Sequence, residues 1–195
     1  MPLTALRRRL AADRGFTLIE LVIYCSLLAV VMLVVAGITI SALRAQSIVR
    51  STGSASNGAQ LVVRSVGAGI RNSSSFQAAA PTGTGQLLRA RVAARNGGLS
   101  WTCAAWYYSS SNGALYMTTN PLAMVTAPAG VPTGWSLLAA GVSLSPGATQ
   151  AFTASGTQLK VALKVAAGGA AAVVVSTTFA EYPQSDLTTS PVQCF

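Results

Sequence analysis

Histidine is absent from the 195-residue sequence, and acidic residues are scarce. Histidine is the side chain that most often serves as a general base or a metal ligand near neutral pH. Beyond residue 20 the only acids are Glu181 and Asp186, whose spacing near the C-terminus makes an unconvincing acid–base pair. These absences argue against an enzyme, and they predict no cofactor.

Cysteine is also rare, with one residue each at positions 25, 103 and 194. No two cysteines form a C-x-x-C pair, so a structural zinc site is not expected. The sequence therefore predicts no metal centre.

Basic residues outnumber acidic ones by 13 to 4, which gives a formal net charge of +9. Four of the basic residues lie in the first 15 positions, and the others are scattered without a run of adjacent Lys or Arg. This distribution predicts a mildly basic surface. It leaves a nucleic acid or another anionic polymer open as a partner.

One long apolar run, Leu21–Leu43, contains no charged residue over 23 positions. A helix needs about 20 such residues to cross a bilayer, whereas the apolar part of a secretory signal has about 7–15. The arginines before the run should stay in the cytoplasm, which places the bulk of the chain outside. The sequence predicts a single-pass protein of the cytoplasmic membrane.

Glu20 lies at the edge of this apolar block. A carboxylate in lipid is costly and indicates a function, unless it lies close enough to the headgroups to stay hydrated. The residues around it, Gly15-Phe16-Thr17-Leu18-Ile19-Glu20, follow a short basic segment. This pattern resembles the class III signal of type IV pilins and of type II secretion pseudopilins.

The resemblance implies specific roles for three residues. Gly15 would precede the prepilin peptidase cleavage site, and Phe16 would become the N-methylated first residue. Glu20 would pair with the Phe16 amine of a neighbouring subunit, which fixes the register because each charge is costly in lipid alone. Major pilins of the family often have Pro where this sequence has Gly37.

The sequence divides into four predicted segments: a leader at 1–15, a transmembrane assembly helix at 16–43, an amphipathic stem at 44–71 and a β-rich domain at 72–195. The stem has apolar residues at helical spacing. These are Ile48, Ala55, Ala59, Val62, Val66 and Ile70. Its glycines should soften the helix. The predicted fold class is α+β, with the long helix packed on an antiparallel sheet.

Within the β-rich domain, turn residues separate strand-like runs. Asn112-Gly113 predicts a hairpin between an aromatic strand at 100–109 and a strand at 114–119. Gly168-Gly169 predicts a second hairpin, and residues 135–142 a further strand. Residues 72–85 are rich in turn formers and are predicted to be a loop.

The aromatic hairpin and two arginines leave alternatives open. Its Trp and Tyr residues could form a stacking platform for sugars or bases, but a sheet core with one amphipathic face is the favoured interpretation. Arg89 and Arg91, two positions apart on a strand, should point to one face. They could contact an anion or simply form a solvated face.

Cys103 and Cys194 are the only cysteines in the segment predicted to be exported, where disulfides persist. Pairing them is the simplest arrangement. Cys25 lies within the apolar run and is predicted to be a free thiol. Pilins similar to this chain frequently fix their C-terminal region with a disulfide.

The leading functional hypothesis is a structural filament subunit, a minor pilin or pseudopilin similar to the PilW and J-type groups. Its expected partners are other pilin-like subunits, prepilin peptidase and the membrane assembly platform. The alternatives are a DNA-binding competence-type pilin, a major pilin and an ordinary membrane-anchored β-domain. The filament would be extracellular or periplasmic.

Overall fold

The computed structural model describes residues 17–93, 100–120, 125–169, 171–182 and 193–195. Helix α1, Leu18–Arg71, is 54 residues long and is apolar enough near the N-terminus to cross a membrane by length and composition. The chain divides into two compact units, Met1–Ser47 and Ile48–Phe195.

Within the described residues, nine antiparallel strands follow α1 and form two sheets. The first sheet has the order β1-β2-β3-β4-β5; in the second, β8 pairs with β6 and β7 along one edge and with β9 along the other. The strands are β1 Ser73–Ala78, β2 Gly85–Ala93, β3 Trp101–Ser109, β4 Ala114–Asn120, β5 Ser136–Ala140, β6 Val142–Leu144, β7 Phe152–Ser155, β8 Gln158–Val165 and β9 Val173–Ala180. The predicted α+β fold is confirmed.

The C-terminal part of α1 packs on both sheets through a row of small and β-branched residues. The buried apolar residues are Ala55, Ala59, Val62, Val66 and Ile70. The helical periodicity therefore identified this face correctly, with one error, because Ile48 is 57 % exposed. The core beneath the helix includes Trp106 of the first sheet and Phe179 of the second.

Two glycines in this part of α1 allow the sheets to approach closely. A Cβ added to Gly69 would lie 2.2 Å from the Trp106 ring, and one added to Gly67 would lie 2.7 Å from the Phe179 ring. The sequence predicted only that these glycines soften the helix, and it did not reveal this packing role. They remove side chains where aromatic rings contact the helix backbone.

The aromatic strand β3 is buried on both faces rather than on one. Trp106 and Tyr108 belong to the core beneath the helix, whereas Cys103 and Tyr107 point to a second cluster on the opposite face. Alternate residues of a strand point to opposite faces, so the aromatic run divides between two cores. The prediction of one amphipathic face was therefore wrong. The Trp and Tyr residues of the hairpin are all buried and offer no exposed stacking platform.

The second cluster includes a disulfide between Cys103 and Cys194, with the Cα atoms 5.4 Å apart. Val125 and Trp135, from the segment between β4 and β5, also contribute to the cluster. The disulfide brings the penultimate residue of the chain against the first sheet. Cys25 is a free thiol, as predicted, and its side chain is exposed.

Gln86 of β2 joins the two sheets through a fully satisfied amide. Its Nε2 donates to the carbonyl oxygens of Ala79 and Phe152, at 2.9 and 2.8 Å. Its Oε1 accepts the backbone N–H groups of Ala151 and Phe152, both at 2.9 Å. This side chain is 3 % exposed. A buried amide that makes all these bonds fixes the position of β7 against the first sheet.

The structure confirms both predicted hairpins. β3 and β4 meet at Asn112-Gly113, where Gly113 has a positive φ of 60°. β8 and β9 form the second hairpin. The predicted loop at 72–85 instead contains β1, which pairs with β2, so that prediction was wrong. The short strands β6 and β7 were not predicted, nor was the division into two sheets.

Candidate functional site

The first turn of α1 is capped by Thr17. Its Oγ1 accepts the backbone N–H of Glu20 at 3.4 Å, which satisfies one of the unpaired donors at the helix start. Thr17 and Glu20 have the spacing of a capping box. Glu20 lies in the first turn of the helix, where the positive end of the helix dipole also favours a carboxylate.

Tyr24 lies one turn after Glu20 and directs its hydroxyl to this carboxylate. The hydroxyl donates a hydrogen bond to Oε1 at 3.3 Å. No role for Tyr24 was predicted from the sequence, although residues four apart on a helix lie on the same face and its spacing from Glu20 was visible. The bond gives the acid a polar partner within its own helix.

The other hydroxyl groups between Leu18 and Ser47 are satisfied in the same internal way. Ser26, Thr39, Ser41 and Ser47 each donate to a backbone carbonyl three or four residues earlier, all at 2.8 Å. Such bonds suit a helix in lipid, where water is not available to polar groups. Between Leu18 and Leu43, Glu20 is the only charged residue.

Gly15 and Phe16, the two predicted processing residues, lie outside the described part of the chain. The third predicted residue, Glu20, lies in the first turn of α1 and is half-buried. These three roles stay predictions.

Arg89 and Arg91 project from β2 onto the face that carries the disulfide, because they pair with Ala105 and Cys103 of β3. Arg89 donates to Gln77 Oε1 and, at 3.4 Å, to the carbonyl of Val125. Its Nε atom is buried without a hydrogen-bond partner. The guanidinium of Arg89 is therefore partly occupied by contacts within the domain.

The guanidinium of Arg91 is also engaged within the protein. Its Nε donates to Ser74 Oγ at 2.6 Å, and its Cζ lies 5.2 Å from the centroid of the Trp101 ring. Arg91 also lowers the pKa of Glu181, but burial acts more strongly and raises that pKa above its ordinary value. The two arginines share a face, as predicted, while their role in binding an anion stays a prediction.

Glu181 follows the end of β9, and its backbone N–H donates to Thr157 at 2.9 Å. Its suggested acid–base partner, Asp186, lies outside the described residues. No catalytic arrangement involving Glu181 is visible in the part of the chain that the structure describes.

Comparison with known proteins identifies one match. Residues 10–36 match the family model described as the prokaryotic N-terminal methylation motif. The match includes Gly15, Phe16 and Glu20 and the beginning of the apolar helix. No curated protein and no solved structure matches the chain.

Proposed function

We propose that this type IV pilin-like chain is a structural subunit of a filament, and more narrowly a minor pilin or a pseudopilin. The observation that carries the proposal is the methylation motif at residues 10–36, which continues into an apolar helix with Glu20 as its only acid. The motif implies processing by prepilin peptidase and assembly with other pilin subunits.

The proposed maturation comprises two steps carried out by prepilin peptidase. Cleavage between Gly15 and Phe16 removes the basic leader, and the new Phe16 amine is then methylated. The product has 180 residues and begins one residue before the Thr17 cap. The C-terminal domain faces away from the cytoplasm, since the leader arginines favour a cytoplasmic N-terminus.

In the proposed assembly step, Glu20 forms an ion pair with the Phe16 amine of a neighbouring subunit. In lipid both charges are costly alone, so the arrangement that pairs them is favoured over other registers. Glu20 is half-buried on α1, so part of its side chain remains open to a partner, which supports this step. Tyr24 would hold the carboxylate until the amine arrives.

Two features support a minor pilin or pseudopilin over a major pilin. Gly37 stands where major pilins often have Pro, and Gly disturbs a helix less than Pro. The helix runs through Gly37 without interruption. The DNA-binding alternative has less support, because the aromatic side chains of the hairpin are buried.

The test begins with the mass of the mature N-terminus in cells that contain prepilin peptidase. We expect a chain that starts at methylated Phe16. Glu20→Ala should insert into the membrane but should enter filaments at least roughly tenfold less often, since one unpaired charge in lipid costs more than 1.4 kcal/mol. Ser41→Ala is the matched control, because the Ser41 hydroxyl bonds only to its own helix. Retention of Met1 would contradict the proposed processing, and wild-type incorporation of Glu20→Ala would contradict the pairing.

A further inference from the structure

Strand β9 is an edge strand with regular pairing along its whole length. It pairs with β8 through eight successive residues without a register shift, from Val173 to Ala180. Within the described ranges, no strand pairs with its other side. β9 also contains no Lys, Arg or Pro.

The direction of the free backbone groups follows from the bonds of β8. Ala162 donates to the carbonyl of Ala151 and accepts from Ser145, both on the side of β6 and β7. In an antiparallel strand, the N–H and C=O of one residue point to the same side and alternate along the chain. The odd-numbered residues of β8 therefore bond to β9.

The register pairs Val161 with Thr177, so the odd-numbered residues of β9 point toward β8. Val174, Ser176 and Thr178 consequently direct their N–H and C=O groups away from the sheet. All three residues are exposed. Together they form a ladder of backbone donors and acceptors that a further strand could join.

The other edge strands are less suited to such pairing. β1 and β5 have register shifts, and β6 and β7 have only three and four residues. Short or bulged edges are the ordinary means by which proteins prevent association of strands. β9 has neither form of protection over its eight residues.

A groove of about 430 Å³ runs between residues 173–177 of β9 and the C-terminal part of α1. Apolar residues such as Val63 line it together with Gln60 and Arg64, and none of the lining residues is acidic. Arg64 is exposed and, among the described residues, has no hydrogen bond or ion pair. The groove therefore offers a backbone edge, an apolar wall and one uncompensated positive charge.

We propose that this groove receives an extended segment of a different pilin-like subunit, which joins β9 as an added strand and places a carboxylate against Arg64. Strand addition provides affinity through main-chain bonds, and side-chain complementarity provides selectivity. A second copy fits less well, because its only acids beyond the membrane helix are Glu181 and Asp186, and Glu181 already interacts with Arg91. This inference rests on the proposed filament function.

The test uses the full chain in cells that assemble the filament, with the photoreactive residue p-benzoylphenylalanine at Ser176 or, separately, at Val174. We expect crosslinks to another pilin-like subunit that carries an acid in the crosslinked segment. The attachment point should move by two residues between the two probes, because added strands keep a fixed register. The same probe at Thr153, an exposed residue of β7, is the control and should give no such crosslink.

Two variants test the chemistry of the contact. Ser176→Pro removes an outward N–H and should lower the crosslinking yield from Val174 roughly tenfold, whereas Ser176→Thr should retain it. Arg64→Glu should lower the yield similarly, and Arg64→Lys should retain most of it. Unchanged yields in both disruptive variants would overturn the proposal.

The remaining outcomes are also decisive. The strand-addition proposal would be overturned if the crosslinks were confined to residues 183–192 of the same chain or to a second copy. It would also be overturned if neither β9 position gave a crosslink. If the wild-type chain is processed at Phe16 and enters filaments in the same cells, the proposed function survives that result. If the wild-type chain is neither processed at Phe16 nor found in filaments, the proposed function itself is contradicted.

Discussion

Along α1, Leu33 is 74 % exposed while Val62 is fully buried, although both are apolar residues of one continuous helix. In the unit that ends at Ser47, large apolar side chains point outward and the hydroxyl groups bond back to the helix. In the unit that begins at Ile48, small residues face two sheets. Outward-pointing apolar side chains suit contact with lipid or with neighbouring helices. Small buried residues suit a core formed within the chain itself.

The difference shows that the apolar residues of one helix can be there for two reasons. In the first region, apolar residues lie all around the helix, as expected for a helix whose surroundings are themselves apolar. In the second region, apolar residues occupy one face, and their small size lets Trp106 and Phe179 reach the helix backbone. Perturbing the core should therefore affect the second region and leave the helix of the first intact.

Removing the disulfide should give the largest effect that is confined to the second region. It closes a loop of 91 residues, for which the chain-entropy estimate is about 4–5 kcal/mol of stability. We expect Cys194→Ser to lower the melting temperature of the domain in the mature chain in detergent micelles. Helical circular dichroism from the apolar segment should persist above that transition. Cys25→Ser is the matched control and should leave the transition unchanged, because Cys25 is a free thiol.

Gln86→Leu should have the next largest effect. The substitution leaves up to four backbone groups of Ala79, Ala151 and Phe152 without their bonds, which we expect to cost roughly 3–4 kcal/mol. Denaturant unfolding followed by tryptophan fluorescence measures the loss. Gln158→Leu, at an exposed position of β8, should change stability by less than about 0.5 kcal/mol. Equal stabilities for the two variants would show that the Gln86 bonds contribute little.

Glycine substitutions in α1 compare a glycine that contacts an aromatic ring with a glycine that has open space around it. Gly69→Ala should destabilise the domain by roughly 2–3 kcal/mol, because its Cβ would overlap the Trp106 ring. Gly53→Ala has no atom within 4 Å of the added Cβ and should stabilise the helix by up to about 1 kcal/mol. Thermal unfolding of both variants measures the effects. A stabilising Gly69→Ala would mean that the ring moves aside at little cost.

Local patterns in the sequence predicted a large part of the fold. Helical spacing identified the buried face of α1, and Asn112-Gly113 identified a hairpin, since both depend on residues close together in the chain. The same spacing wrongly assigned Ile48 to the buried face. Periodicity identifies which face of a helix is apolar, but it does not show where along the helix the contact with the sheets ends. β1 was missed since Ser73–Ala78 has no clear alternation and gains its strand conformation from pairing with β2.

Long-range contacts could not be predicted in the same way. The bonds of Gln86 to Ala151 and Phe152 join positions more than 60 residues apart, and a lone glutamine gives no sign of them. Gly69 looked like a flexible helix position, because its contact with Trp106 is formed only in the folded domain. For the candidate site, the motif around Glu20 was recognisable because it is contiguous, whereas the open edge of β9 depends on which strands pair.

Glu181 provides the smallest expected effect and tests the electrostatics at the end of β9. Burial raises its pKa above the ordinary value of 4.5, and the attraction of Arg91 only partly offsets this. A raised pKa in the folded state means that folding favours the protonated carboxyl. The associated stability is present below pH 4.5 and is lost as the pH rises through the folded-state pKa.

Glu181→Gln removes this titration and nearly preserves the shape of the side chain. The melting temperature of the wild-type chain should therefore fall slightly relative to the variant as the pH rises from about 4 to 6. High salt should deepen the fall, because it screens the compensating attraction of Arg91 more than it changes burial. Thermal unfolding at matched ionic strengths measures both effects. A wild-type chain that gains stability over the variant in this interval would show that Arg91, and not burial, determines the pKa of Glu181.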